Sequence, residues 1–219
     1  MTTIAEGPVP GSAARTAGYV HAAAWVLGLA VAWGAAPEVG DTDAGITAMY
    51  AERPVQTMAQ ALLVHGVAAV GLLVVGSGLV DRARRTGDTT ARAAGWAGWG
   101  AGALAGVQLV LELIAISGAD PASPGRTGAL FEAVQRTDGV KMFALAVLAA
   151  ATCVASRHGH SALLRRGEAV IGWALAVTIA VSGIGYLLLS TALTPVAFIS
   201  LPLLLIWIAV LGAALSRRP

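Results

Sequence analysis

The sequence predicts an all-α, polytopic transmembrane bundle of six spans, with both ends of the chain on the cytoplasmic side. Three observations carry this expectation. Hydrophobic residues make up 57% of the chain and charged ones 12%, against roughly 25% charged in a typical soluble domain. The mean hydropathy is +0.74, and lipid rather than water is the natural solvent for such a chain. The cations, finally, gather in alternate connections.

A helix needs about 20 apolar residues, rising about 1.5 Å each, to cross a hydrocarbon core of about 30 Å. Six stretches qualify: 17–36, 58–80, 93–118, 140–156, 169–191 and 196–216. They form one bundle over 17–216, preceded by a flexible N-terminal segment (1–16) and followed by a short tail (217–219). The first stretch has a signal-peptide outline, with Arg15 before it and small residues at Gly34-Ala35-Ala36. Its apolar run is long for a cleavable signal, so it is read as a retained span. Thr194-Pro195 marks a tight reversal between the last two spans.

Orientation follows the cations. Arg15 precedes the first span; Arg82, Arg84, Arg85 and Arg92 fill the second connection, Arg157, Arg165 and Arg166 the fourth, and Arg217 and Arg218 the tail. The opposite side carries only Arg53, Arg126, Arg136 and Lys141, together with acids such as Glu38, Asp43, Glu52 and Asp138. This places both termini on the cytoplasmic side, and the Ala-, Gly- and Arg-rich composition fits a bacterial source and hence a bacterial cytoplasmic membrane. The first outer connection suits a short helix capped by Thr42 or Asp43 and stopped at Pro54; the third suits a helix from Thr127 to Asp138 ending at Gly139. Residues 48–67 and 129–148 align at an offset of 81, with Gln60 falling on Lys141, as in a repeated unit of span, outer helix and span.

Lipid-embedded helices associate through close backbone contact and interhelical hydrogen bonds. Gly98, Gly102 and Gly106 supply such a surface, as do Gly66, Gly71, Gly76 and Gly78; a ligand groove is the alternative use of the same space. Glu112 lies in the apolar run Leu109–Ile114, about 9 Å inside the end of its helix. A carboxylate at the bilayer centre costs about 2.5–3.5 kcal/mol and less near the interface, so it turns inward to a partner. His65 enters the second span at matching depth and titrates near neutral pH, which makes Glu112 and His65 the candidate acid–base pair. Gln108, one turn from Glu112, joins the candidate binding residues with Gln60, Lys141, Ser182 and Tyr186. Lys141 is an alternative neutraliser of Glu112. Thr178, Ser182, Tyr186 and Ser190 recur every four residues along one face. Purely structural hydrogen bonding is the competing reading for each of these residues.

Other chemistry is set aside. The single cysteine, Cys153, allows no intrachain disulfide. His21 and His65 sit at different depths for one haem iron, and His158-Gly159-His160 has no Cys or acid beside it. No metal, cofactor or nucleic-acid site is expected: the net charge is only +2 and aromatics are 5%.

The segment Ala48-Met49-Tyr50-Ala51-Glu52-Arg53 ahead of a Gly-rich span, and Phe131-Glu132-Ala133 through Lys141-Met142-Phe143-Ala144-Leu145-Ala146-Val147 ahead of a basic loop, resemble those of actinobacterial six-helix integral membrane proteins. The resemblance implies the six-helix layout and no activity. Three functions remain in play. The leading one is binding of a small apolar or amphipathic, lipid- or isoprenoid-like molecule in an outer-half pocket. The second is acid–base catalysis on such a molecule, such as proton-initiated cyclisation or isomerisation. The third is proton-coupled transport. Membrane lipid is the expected partner, and a homo-oligomer fits the transport reading.

Overall fold

The computed structural model describes residues 11–34, 36–158 and 163–217, and among these every regular element is helical. The elements are α1 (Gly11–Val31), α2 (Asp43–Glu52), α3 (Pro54–Ala61), a π-helical segment (Leu62–Val67), α4 (Ala68–Thr86), α5 (Thr89–Ser117), α6 (Pro124–His158), α7 (Arg166–Leu187) and α8 (Ala197–Leu215). The expected positions at Met1–Pro10, Ala35, Gly159–His160 and Arg218 fall outside the described residues, as does the side chain of His158.

Among the described residues, five helices are long and apolar enough to cross a membrane: Pro54–Thr86, Thr89–Ser117, Pro124–Arg157, Arg166–Leu187 and Thr194–Leu215. This is the pattern of a multi-pass membrane protein. The first expected span is not among them, because Arg15, Tyr19 and His21 dilute the apolar run of α1.

The long helices alternate in direction. One end of the bundle, the basic end, carries Gly87-Asp88, Arg165 and Arg217; the other, the acidic end, carries the connections 32–42, 118–123 and 188–193. At the basic end Gly87 takes a left-handed φ of 72°, and the Asp88 carboxylate then accepts from the Thr90 and Ala91 amides (2.8 and 3.0 Å) to start α5. At the acidic end the Thr42 hydroxyl accepts from Gly45 N (3.2 Å) and caps α2 as expected. Arg53 leaves helical geometry (φ −132°, ψ 48°), and Pro54 starts a new helix rather than merely ending one, since its missing N–H is not needed at a first turn.

Several boundaries differ from the sequence expectation; the first span, expected to reach residue 36, ends as a helix at Val31. No helix ends at Gly139: α6 runs unbroken through it, and the missing side chain lets α7 approach closely. A Cβ there would lie 2.7 Å from Leu187 N and 2.8 Å from Gly183 O. The span expected to reach 191 stops at Leu187, and the chain turns through Leu189 at a φ of 53°. The second span begins at Pro54, so α3, the π segment and α4 form one 33-residue helix.

The glycines pack as expected, with one exception. A Cβ on Gly76 would meet Gly95 O at 2.9 Å, one on Gly71 the Ala17 carbonyl at 2.9 Å, and one on Gly102 the Leu73 side chain at 2.8 Å; Gly106 faces open space. Small residues thus bring α1 and α5 against α4, the close approach on which association in lipid relies. The main core joins Leu72, Val75 and Leu79 of α4 to Leu145 and Leu148 of α6, Leu175 of α7 and Trp207 and Leu211 of α8. A smaller core at the acidic end joins Ile46 and Tyr50 of α2 to Phe131 of α6 and Ile116 of α5. Large apolar side chains such as Val70, Val110, Val147, Val177 and Ile206 point outward from each of the long helices.

Candidate functional site

The π segment positions the first polar cluster. One extra residue in a helical turn rotates the two halves of a helix relative to each other, and such bulges recur at functional sites. His65 lies within this turn and reaches α5, where its Nε2 stands 3.2 Å from Glu112 Oε2, both side chains being about nine-tenths buried. The expected pairing of Glu112 with His65 is therefore present. It is a close approach rather than an aligned hydrogen bond, because Oε2 of Glu112 and Nδ1 of His65 have no hydrogen-bond partner. Tyr50, on α2, completes the cluster. Burial pushes its phenol well above the usual range for tyrosine, and the neighbouring Glu112 carboxylate adds to the effect.

Gln108 sits one turn along α5 but belongs to a second cluster. Its Nε2 donates to Asp138 Oδ1 (2.9 Å) and to the Val134 carbonyl (3.2 Å). Lys141 Nζ lies 2.5 Å from the same Asp138 oxygen, on the same face of α6 three residues on. Lys141 therefore neutralises Asp138, not Glu112 as the sequence had allowed. Its ammonium also stands 5.9 Å from the centre of the Trp25 ring on α1. A buried charge retained in this way needs both its countercharge and its hydrogen bonds.

Beside this second cluster lies a cavity of about 90 Å³. Its polar walls are His21, Asp138, Lys141, Tyr186 and Ser200; the rest is apolar apart from the edge of Trp25. His21 is 1% exposed, and its Nδ1 donates to the Ala68 carbonyl (2.8 Å), just beyond the π segment. Its Nε2 has no partner. Among the sequence-selected residues, Lys141 and Tyr186 line this cavity; Glu112, His65, Gln108, Gln60 and Ser182 do not. Ser182 hydrogen-bonds Ser200 (3.0 Å), so it acts on the cavity only through that neighbour. Gln60 is half-buried on α3, with its backbone carbonyl facing Gly28.

The rest of the α7 stripe does not converge. Thr178 bonds back to the Ala174 carbonyl (2.9 Å), and Ser190 lies beyond the helix, with its amide on Gly185 O (2.8 Å). His21, Asp138, Trp25 and Ser200 were not among the selected residues. The available signals were a histidine in the small-residue face Ala14, Gly18, His21, Ala24, Gly28, and an acid three residues before a lysine in an apolar run.

Among the described residues no three His, Cys, Asp or Glu side chains come together as a metal site. No protein family, curated protein or solved structure matches this chain. The site must therefore be read from its own chemistry.

Proposed function

We propose that this chain is a six-span membrane protein that holds a small amphipathic molecule in the cavity between α1, α4, α6, α7 and α8. The observation that carries this reading is an apolar cavity with a few convergent polar groups at its wall, the usual make-up of small-molecule sites. A cavity of this size suits a small head group and part of an apolar chain rather than a large rigid ligand. The cavity lies on the Lys141 side of the bundle, away from the Glu112–His65 contact.

In this reading α1 is the sixth span. It packs along α4 and α8, turns its small residues and His21 inward, and exposes Val20, Val26, Leu27 and Leu29 on the other face. The cation distribution makes the basic end cytoplasmic. Cysteines introduced singly at Ser12 and Thr42, one at the start of α1 and one beyond its end, in a Cys153→Ser chain should react with impermeant maleimide from opposite sides of a bacterial cell membrane; reaction from one side would remove α1 as a span.

Native mass spectrometry of the protein released from bacterial membranes tests the ligand reading. A stoichiometric small-molecule adduct is expected on the wild type and its loss on Ala197→Phe, which adds bulk at a residue lining the cavity. Equal adducts on both proteins would place the molecule elsewhere.

A second reading, proton movement, has one observation in its favour: the two ionisable clusters lie on successive turns of α5. Proton-gradient-driven uptake by proteoliposomes that Glu112→Gln abolishes without loss of thermal stability would support it. Acid–base catalysis by Glu112 has less support, because Glu112 does not line the cavity.

A further inference from the structure

We infer that the cavity selects a molecule whose polar head is an uncharged hydroxyl, an inference that rests on the ligand-binding reading of the same site. His21 sets the first requirement. The Ala68 carbonyl only accepts, so the imidazole must carry a proton on Nδ1. The other nitrogen, Nε2, is buried, lacks a partner and belongs to a cavity-lining side chain. In the neutral ring it presents a lone pair, and that lone pair calls for a donor.

Lys141, in the same wall, calls for the opposite. Its ammonium has three donors, of which Asp138 takes one. A ligand atom that accepts from Lys141 and donates to His21 Nε2 satisfies both. A hydroxyl does this with one oxygen, and the hydroxyls of Ser200 and Tyr186 can rotate to accommodate it.

The competing head groups each leave a fault. A carboxylate would meet the Asp138 carboxylate and the His21 lone pair. An ammonium would meet Lys141. A ketone or ester accepts from Lys141 but leaves Nε2 unpaired, and an unmet buried group carries its full desolvation cost. Discrimination by a site built to hydrogen-bond a hydroxyl is correspondingly steep.

Three probes with one tail separate the heads: 1-octanol, octanoate and octylammonium, titrated at pH 7.5 against the detergent-solubilised full chain, with saturable thermal stabilisation as the readout. Octanol should stabilise the wild type at concentrations at least tenfold below the other two, and His21→Phe should lose at least tenfold of that affinity. Should His21→Phe fail to fold, the ranking of the three heads on the wild type decides alone. Equal or tighter binding of octanoate or octylammonium overturns the hydroxyl assignment while leaving the cavity reading intact, provided that Ala197→Phe abolishes it. No saturable effect from any probe, or the same effect on Ala197→Phe, overturns both.

Discussion

The two polar clusters of this bundle share helix α5 and a similar degree of burial, yet they are held together differently. Around Asp138, two donors converge on one carboxylate oxygen: Lys141 at 2.5 Å and Gln108 at 2.9 Å. Around Glu112, His65 approaches to 3.2 Å without an aligned hydrogen bond, and the histidine's other nitrogen is unpartnered. The first arrangement fixes α6 against α5 and sets one wall of the cavity. The second ties the π segment and α2 to α5 more loosely and lines no part of that cavity. A buried carboxylate in a membrane bundle thus marks a costly position, but the accompanying geometry distinguishes a wall-building pair from a looser contact.

Removing one charge from the tighter cluster should produce the largest effect. Lys141→Met leaves Asp138 buried without its cation, a class of change that costs about 3–5 kcal/mol. Thermal unfolding in detergent should show this loss, and adding Asp138→Asn to the same chain should recover most of it. Equal instability of the single and double variants would mean that Lys141 acts through packing on Trp25 rather than through charge.

Next in size is Gln108→Leu, which withdraws the donor from Asp138 and from the Val134 carbonyl. A hydrogen bond to a charged group is worth about 1.5–3 kcal/mol, so a loss in that range is expected in the same assay. Glu112→Gln should cost less than this in the same assay, and equal losses would erase the contrast between the clusters.

Tyr50→Phe should cost about 1 kcal/mol at neutral pH and should change the alkaline limb of stability. Burial and Glu112 raise the folded pKa of Tyr50 above the ordinary 10.0. The resulting stability is complete below pH 10, and it is lost as pH rises above that value, because the unfolded phenol ionises first. The slope is at most about 1.4 kcal/mol per pH unit for one group. Melting temperature measured from pH 8 to 11 should therefore fall more steeply in the wild type than in Tyr50→Phe; parallel curves would place the phenol in contact with water.

The smallest effect belongs to the exposed basic end. There Glu168 holds Arg217 through a pair of hydrogen bonds (2.5 and 3.2 Å) and raises the guanidinium's pKa. An exposed pair of this kind contributes about 0.2–1 kcal/mol. Glu168→Gln should shift the melting temperature slightly, and 0.5 M salt should shift the wild type by a similar amount.

Much of the fold was legible because its causes are local. Apolar length, the Thr42 cap, Pro54 and the Gly71–Gly76 surface can each be read from a few neighbouring residues. The pairing of His65 with Glu112 was legible from depth alone, since both sit a similar distance from one end of the bundle. The partner of Lys141 was harder to read. Asp138 looked like a helix-terminal acid because Gly139 looked like a stop, and only the packing of α7 against that glycine reveals a continuous helix with Asp138 inside. His21 was hidden for a related reason. Its role depends on which carbonyl the π segment leaves facing α1, and that register shift has no signature in the sequence.

The central claim is that the ligand site lies beside Lys141 and His21 rather than at the Glu112–His65 contact. Photolabelling of the full chain in lipid nanodiscs with an eight-carbon alcohol carrying a diazirine in its tail, followed by peptide mass spectrometry, tests it most directly. Saturable labelling that 1-octanol competes away is expected on Trp25, Met142 and Leu201, three walls of the cavity. Labelling confined to outward-facing residues such as Val110 and Phe198, or centred on Leu109 and Tyr50, would contradict it.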